Sequence, residues 1–168
     1  MDILIHDLEA ERFQALFPEI PDGVRVISKT GEIKPCVGCL ACWVKTPGKC
    51  VIQDGYEALG EWLCGAERVT LISRCVYGGY SPFIKNVLDR SISYLLPFFK
   101  VKNGTTHHQQ RYAHRFSLRV YFYGDISEEE RAVAEALVQA NALNYHTSTH
   151  KVAFCQAPEQ LSVEEVLL

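Results

Sequence analysis

Strand-like and helix-like patterns alternate along the chain, and this alternation restricts the folds that it can adopt. Short apolar runs predict five strands, at 2–7, 24–28, 68–73, 115–123 and 151–155. Apolar residues at helical spacing predict helices at 9–17, about 54–64, 81–95 and 127–143, and a short one after Ser162. Such alternation is typical of parallel strands joined by right-handed helical crossovers. The sequence therefore predicts an α/β fold: one domain over residues 1–168, with a doubly wound five-stranded parallel sheet and helices on both faces.

Capping residues mark the starts of the predicted helices. Asp7 is positioned to cap the first helix, and Asp54 opens a segment with the spacing of a capping box for the second. Ser81 followed by Pro82 predicts the start of the third helix, because proline is best tolerated at the first helical position. Ser127 opens another capping box before the fourth helix.

The composition argues against several classes of partner. The 168 residues are 48% hydrophobic and carry a net charge of −3, so neither nucleic acid nor an anionic membrane surface is expected as a partner. No apolar stretch is long enough to span a bilayer, and the N-terminal run lacks the basic lead-in of a signal peptide. We therefore expect a cytoplasmic protein.

Two long segments interrupt the alternation. One is a cysteine-rich loop over 30–53, and the other is a polar insertion over 101–114 with Asn103-Gly104 as a turn. The insertion contains His107, His108 and His114. Neighbouring side chains in a loop rarely point at one ion, so solvated histidines are favoured over metal ligands.

Four of the seven cysteines lie close together, with the spacing Cys-x2-Cys-x2-Cys-x7-Cys: Cys36, Cys39, Cys42 and Cys50. In a reducing compartment this cluster indicates metal or redox chemistry more than a disulfide framework. Four thiolates match the ligand count of a [4Fe–4S] cluster, and they could also hold tetrahedral zinc. The alternative is an ordered loop whose cysteines pack as small apolar groups or form a labile disulfide. Trp43, inside the loop, could cover a ligand, lie in a subunit interface or anchor the loop.

A glycine-rich turn before the third helix is the second candidate site, and it consists of Tyr77, Gly78, Gly79, Tyr80 and Ser81. Glycines let a planar ring approach the backbone, where free N–H groups could bind its carbonyl oxygens, and either tyrosine could stack on it. The alternative is a tight turn in which Ser81 caps the helix and the tyrosines pack.

These two motifs carry a family resemblance. The cysteine segment 36–50 followed by Asp54, and the segment 78–85 leading to Leu88-Asp89-Arg90, resemble the NAD(P)H-dependent FMN reductase and iron-sulfur flavoprotein branch of the flavodoxin-like superfamily. The resemblance implies a flavodoxin-like fold, FMN as cofactor, and NAD(P)H or a protein as electron donor. It also implies a homodimer or homotetramer with the flavin near a subunit interface. The glycine-rich turn would then border the flavin ring, the cysteine loop would cover it from the same or a neighbouring subunit, and the four cysteines would hold the [4Fe–4S] cluster.

The chain departs from this family after its first strand. Relatives carry a glycine- and serine-rich loop there, which wraps the FMN phosphate with backbone N–H groups and hydroxyls. This chain instead has Asp7, Glu9 and Glu11, whose carboxylates would repel a phosphate. One hypothesis is that Arg74 or Lys45 binds the phosphate as a charge. The alternative function is a flavodoxin-like protein that has lost FMN and acts as a binding, metal-holding or thiol-sensing module.

Overall fold

A parallel five-stranded sheet forms the centre of the computed structural model, which describes residues 1–29, 32–102 and 104–167. Over those ranges the strands are β1 (Asp2–His6), β2 (Val24–Ser28), β3 (Arg68–Arg74), β4 (Leu95–Lys102), β5 (Thr105–Gln110), β6 (Ser117–Tyr123) and β7 (His150–Cys155). The large sheet has the order β2-β1-β3-β6-β7, with each neighbouring pair parallel. Counted along the chain, its strands are arranged 2-1-3-4-5, so the predicted fold class is confirmed.

Helices cover both faces of this sheet. They are α1 (Ala10–Leu16), α2 (Ala41–Val44), α3 (Leu59–Cys64), α4 (Pro82–Arg90), α5 (Glu128–Asn144) and α6 (Val163–Leu167). Alternate residues of β1 enter different apolar clusters: Ile3 and Ile5 pack in the cluster that includes residues of α3, α4 and α5, and Leu4 packs with residues of α6. Both faces are therefore buried, as is usual for a parallel sheet. In the part of the chain that the structure describes, no helix is long and apolar enough to cross a membrane.

The serine caps predicted from the sequence are confirmed. The Ser81 hydroxyl accepts a hydrogen bond from the Ile84 backbone N–H at 3.5 Å, and Pro82 begins α4. Ser127 and Glu130 form a reciprocal capping box at the start of α5. Each of these caps joins residues three apart, so the spacing in the sequence is sufficient to predict it.

The two aspartate caps predicted from the sequence are wrong. The Asp7 carboxylate accepts hydrogen bonds from the Arg74 backbone N–H at 2.8 Å and the Tyr123 hydroxyl at 3.0 Å, and α1 begins at Ala10. The Asp54 carboxylate accepts two hydrogen bonds from the Arg90 guanidinium, and α3 begins later than predicted, at Leu59. In both cases a partner distant in sequence takes the carboxylate that local spacing assigns to a helix end.

A β-hairpin replaces the end of the predicted third helix and the beginning of the polar insertion. Helix α4 ends at Arg90, a 3₁₀ turn follows at Ser91–Tyr94, and β4 then pairs antiparallel with β5. Of the predicted turn, Asn103 lies outside the described residues, and Gly104 has a φ of +79°. The start of the cysteine-rich loop, at Thr30 and Gly31, is also outside them, and the rest of the loop contains the unpredicted α2.

His107 is buried and His108 is half-buried, which corrects the expectation of solvated side chains, whereas His114 is exposed as expected. His107 is buried and forms hydrogen bonds with Asn144 at 2.8 Å and Thr105 at 2.6 Å. The His108 ring donates to the Leu96 carbonyl, and the His114 ring donates to the Ala66 carbonyl. His107 thus ties the hairpin to α5, His114 ties the segment after it to the segment before β3, and His108 joins the two strands of the hairpin itself.

Candidate functional site

A cavity of about 1040 Å³ opens at the carboxyl ends of the parallel strands. Its lining includes Asp7 directly after β1, Lys29 directly after β2, Arg74 at the end of β3, and Tyr123 at the end of β6. The chain order reverses between β1 and β3, because β2 lies outside β1, whereas β6 and β7 lie beyond β3. This switch point is where open α/β sheets leave a crevice for a ligand.

Three cations line the cavity, and the described residues provide ion-pair partners for two of them. Arg12 binds Glu159 through two nitrogens, at 2.6 and 2.7 Å. The Lys29 ammonium binds the Glu9 carboxylate at 2.6 Å. The exposed Arg74 side chain has no hydrogen-bond or salt-bridge partner within 1–29, 32–102 and 104–167. Arg74 is therefore the cation that is free to bind an anionic ligand in this cavity.

Two of the acidic side chains near α1, those of Asp7 and Glu9, already have hydrogen-bond partners within the chain. Asp7 is only 3% exposed, and its two carboxylate oxygens accept the Arg74 backbone N–H and the Tyr123 hydroxyl. Burial, together with the Asp7 charge, raises the pKa of Tyr123. The hydrogen bond from Lys29 lowers the pKa of Glu9. The negative charge expected to repel a phosphate is thus partly balanced, and Glu11 does not line the cavity.

The glycine-rich turn forms one rim of the cavity. Val76 and Gly79 exchange two backbone hydrogen bonds of 2.9 Å, and the turn between them has positive φ at Tyr77 (+51°) and Gly78 (+75°). A Cβ on Gly78 would lie 2.7 Å from the Val133 Cβ, so α5 packs directly against the backbone here. Tyr77 lines the cavity and is 90% exposed. A bulky residue with positive φ is uncommon and often marks a functional site.

The remaining predicted turn residues are divided between two cavities. Ser81 lines the large cavity, and its backbone N–H donates to the Ser73 hydroxyl. Tyr80 turns away from it, stacks on Phe122 with ring centroids 5.4 Å apart and accepts a hydrogen bond from Asn141. Burial raises the pKa of Tyr80 to about 12. Tyr80 and Gly79 line a second cavity, of about 580 Å³, beside the hairpin.

The four clustered cysteines line a separate apolar cavity of about 30 Å³, together with Arg90 and Ile92. Burial raises the pKa of Cys42, and the nearby Cys50, Cys36 and Cys39 contribute further. The described part of the cysteine loop, residues 32–53, does not border the large cavity in the same chain. The large cavity borders the start of α4, and the cysteine cavity borders its end. The two cavities are therefore separated by about 13 Å, the length of nine helical residues. Lys45, the other phosphate candidate, lies at the end of α2 and does not line the large cavity.

The arrangement of the cysteines distinguishes between possible metals. All seven cysteines are free thiols. Among the residues that the structure describes, no three His, Cys, Asp or Glu side chains converge tightly enough to hold one metal ion, so a single zinc ion is not supported. The ligands of a [4Fe–4S] cluster bind different iron atoms and lie farther apart than the ligands of one ion. Four thiols around one cavity are the donor set that a [4Fe–4S] cluster takes.

Trp43 and Arg90 hold the cysteine loop in place. The Trp43 indole N–H donates to the Leu95 carbonyl at 3.0 Å, and its ring lies 4.9 Å from that of His108, which supports the loop-anchor interpretation. Arg90 is 2% exposed and binds Asp54 with two nitrogens. The sequence motif includes Arg90, and local spacing predicts Asp54 as a helix cap, but neither indicates their ion pair. Lys29 and Tyr123 were not predicted as site residues, although their positions at strand ends could have indicated them.

Comparison with known proteins found similarity in sequence and in structure. No protein-family model matches the chain. Over 60 residues it is 37% identical to an iron-sulfur flavoprotein of Methanocaldococcus jannaschii. The matched segment covers 36% of this chain but only 30% of the length of that relative. An NADPH-quinone reductase from P. pentosaceus has a TM-score of 0.56 at 13% identity, over 98% of this chain and 89% of the other. An FMN-dependent NADH-azoreductase from Bacillus anthracis, solved in complex with FMN, has a TM-score of 0.51 at 12% identity, over 99% and 92%.

The chain has the flavodoxin-like fold. The predicted similarity to iron-sulfur flavoproteins is confirmed over 60 residues, and the two solved structures confirm the flavodoxin-like fold that it implies. In flavodoxin-like sheets the ligand crevice lies at the switch point between β1 and β3. This is where the large cavity opens, between Asp7 and Arg74.

Proposed function

We propose that this flavodoxin-like protein is an FMN-binding oxidoreductase that receives electrons from NAD(P)H or from a protein donor. The observation that carries the proposal is the Arg74 side chain, which lacks an ion-pair partner among the described residues, in a cavity of about 1040 Å³ at the β1/β3 switch point. A cavity of this size is at the upper end of the range for small-molecule sites. A guanidinium binds a phosphate through two parallel hydrogen bonds, which a lysine cannot do.

The residues of the cavity fit FMN in distinct roles. Arg74 would bind the phosphate in place of the loop that relatives use, and the exposed Tyr77 ring would cover the flavin. Gly78 has no side chain, so the turn can approach α5 closely. Asp7 holds the ends of β1, β3 and β6 together through its two hydrogen bonds. When bound, the flavin supplies the hydride and electron chemistry, and no acid or base from the protein is required.

We further propose that Cys36, Cys39, Cys42 and Cys50 hold a [4Fe–4S] cluster. The four line one cavity, and the buried cation Arg90 lines it as well, which suits an anionic group. Because the cysteine loop does not border the large cavity of its own chain, a homodimer or homotetramer would bring the loop of one copy over the cavity of another. The resemblance to iron-sulfur flavoproteins supports this part of the proposal.

The phosphate-binding role of Arg74 can be tested by comparing two flavins. FMN and riboflavin, which lacks the phosphate, are titrated into apoprotein, and binding is followed by flavin fluorescence. Loss of a charge-assisted hydrogen bond costs about 1.5–3 kcal/mol, so Arg74→Ala should weaken FMN binding roughly tenfold to a hundredfold. Riboflavin binding should change little. Arg12→Ala is the matched control, because Arg12 is a cation of the same cavity and its carboxylate partner, Glu159, does not line that cavity.

Two outcomes would contradict the proposal. If Arg74→Ala binds FMN as tightly as the original protein, another group holds the phosphate. If the original protein takes up neither flavin, the FMN assignment is wrong, and a module without flavin becomes the better description. Reduction of bound FMN by NADH or NADPH, followed by loss of the yellow colour under anaerobic conditions, then tests the electron donor.

A further inference from the structure

The guanidinium of Arg90 is held in one orientation by the loop that carries the cysteines. Its two terminal nitrogens donate to both carboxylate oxygens of Asp54, at 2.7 and 3.0 Å. They also donate to the carbonyls of Lys34 at 2.6 Å and Ile52 at 3.4 Å. The side chain is fully buried, and so is that of Asp54 at 3% exposure. Two hydrogen bonds to the cysteine-rich loop and two to Asp54, directly after it, therefore fix the plane of the guanidinium.

The third nitrogen of Arg90 is different. Within the described residues its Nε–H has no hydrogen-bond partner, although it is buried. Unpaired buried donors are rare in folded proteins, and each needs an explanation such as a functional role or a missing partner. Arg90 lines the cysteine cavity, and its neighbour there is Cys50. Burial opposes the positive charge, but Asp54 and the Cys50 thiol raise the pKa of Arg90 overall.

We propose that Arg90 is a positioning residue whose Nε–H donates a hydrogen bond to the sulfur of Cys50 when that sulfur ligates the [4Fe–4S] cluster. This inference rests on the proposed cluster site. Hydrogen bonds to cluster sulfurs and the net charge around the cluster set its reduction potential. Reduction adds one electron and no proton, so the reduced form is the more negative, and a buried cation stabilises it. Arg90 therefore raises the potential of the cluster.

The charge of Arg90 can be separated from its hydrogen bond by Arg90→Lys. Lysine keeps the positive charge and can pair with Asp54, but its single nitrogen cannot also reach Cys50. The protein is reconstituted anaerobically with iron and sulfide, and the cluster is titrated with dithionite while its electron paramagnetic resonance signal is recorded. We expect at least a tenfold change in the ratio of oxidised to reduced cluster at a given potential, in favour of the oxidised form. That change corresponds to a potential lower by about 59 mV for one electron.

Asp89→Asn is the matched control, because Asp89 is next to Arg90 on α4 but is half exposed, pairs with Lys85 and does not line the cysteine cavity. It should leave the potential within a few-fold of the original ratio. FMN content is measured in every sample, so that a failure of the flavin site is seen separately. Uptake of FMN without any cluster would overturn both the cluster site and the role of Arg90, while leaving the flavin proposal standing.

A second measurement keeps the inference testable if Arg90→Lys does not fold. The original protein is labelled with ¹⁵N-arginine, reconstituted and reduced, and pulsed electron paramagnetic resonance is used to detect nitrogen coupled to the cluster spin. A hydrogen bond from Nε–H to the Cys50 sulfur should give an arginine coupling. Absence of that coupling, or an unchanged potential in well-folded Arg90→Lys, would overturn the proposal.

Discussion

At the scale of single residues, His6 shows how burial alone makes a side chain sensitive to acid. It ends β1, is 1% exposed, and stacks on Phe13 with ring centroids 3.8 Å apart and planes 6° apart. Burial lowers the pKa of His6 from 6.5 to about 4. The folded protein therefore holds this imidazole neutral over a pH range in which the unfolded chain protonates it.

This difference predicts a loss of stability in mild acid. Below pH 6.5 the unfolded state gains a proton that the folded state takes up only near pH 4, so the free energy of unfolding should fall across that window. The full effect is about 3 kcal/mol, from 1.36 kcal/mol for each pKa unit. Urea unfolding at pH 7.5, 5.5 and 4.5 measures it, and His6→Leu should show a markedly smaller decline.

Asp54 also contributes stability that is lost in acid, but over a lower pH range than His6. The hydrogen bond from Arg90 lowers the pKa of Asp54 from 3.8 to about 2, so the stability from that pair is lost only below pH 3.8. A decline between pH 6.5 and 4 that is identical in His6→Leu would show that His6 is not its source.

At the scale of elements, periodicity predicted the parallel strands and failed where partners are distant. The five parallel strands were predicted within two residues at each end, because each is a short apolar run that needs no partner to be recognised. Ile92 and Leu95 continue the helical spacing of α4, yet the helix ends at Arg90 and Leu95 opens β4. The strand forms because it pairs with β5, and the local spacing of apolar residues does not predict that pairing.

The candidate site divides in the same way. Tyr77 and Ser81, predicted from the turn, and Arg74, predicted as a charge for the phosphate, line the large cavity. Tyr80 was predicted equally, but it packs on Phe122 of β6, and its orientation depends on a strand about forty residues away. Residue type and spacing thus indicate which segment borders a site, whereas the direction of each side chain follows from tertiary packing.

The link between the cysteine loop and the hairpin can be tested through Trp43. Trp43→Ala removes the hydrogen bond to the Leu95 carbonyl and the contact with the His108 ring. We expect a loss of about 2 kcal/mol in the free energy of unfolding, from the lost contacts of a half-buried aromatic. Limited proteolysis should cut the loop around 36–50 faster, because its anchor is gone.

Val44→Ala provides the control for this change. Val44 follows Trp43 on α2 and is 78% exposed, so its truncation should alter stability by less than about 0.5 kcal/mol. Equal effects of the two substitutions would show that the contacts of Trp43 do not hold the loop.

At the scale of the whole molecule, α4 separates two regions of possible chemistry. Its first turn borders the large cavity, and its last residue borders the cysteine cavity, about 13 Å away by the rise of a helix. A ligand in the large cavity should therefore stabilise the ends of β3 and β6 directly. It should reach the cysteine loop only if the loop of a second copy lies over the cavity.

Hydrogen exchange measured by mass spectrometry tests this separation. The reporting amides at the strand ends are those of Cys75, bonded to the Tyr123 carbonyl, and Gly124, bonded to the Cys155 carbonyl. At an FMN concentration 100 times the Kd, openings that release the ligand become about 100-fold rarer, so these amides should exchange up to about 100-fold more slowly.

In monomeric samples, the loop amides of Lys45 and Cys50 should exchange at their original rates. In oligomeric samples, identified by light scattering, they should slow as well. Slowing of the loop in a monomer would contradict the separation of the two regions, and unchanged strand ends would show that FMN does not bind at the β1/β3 switch point.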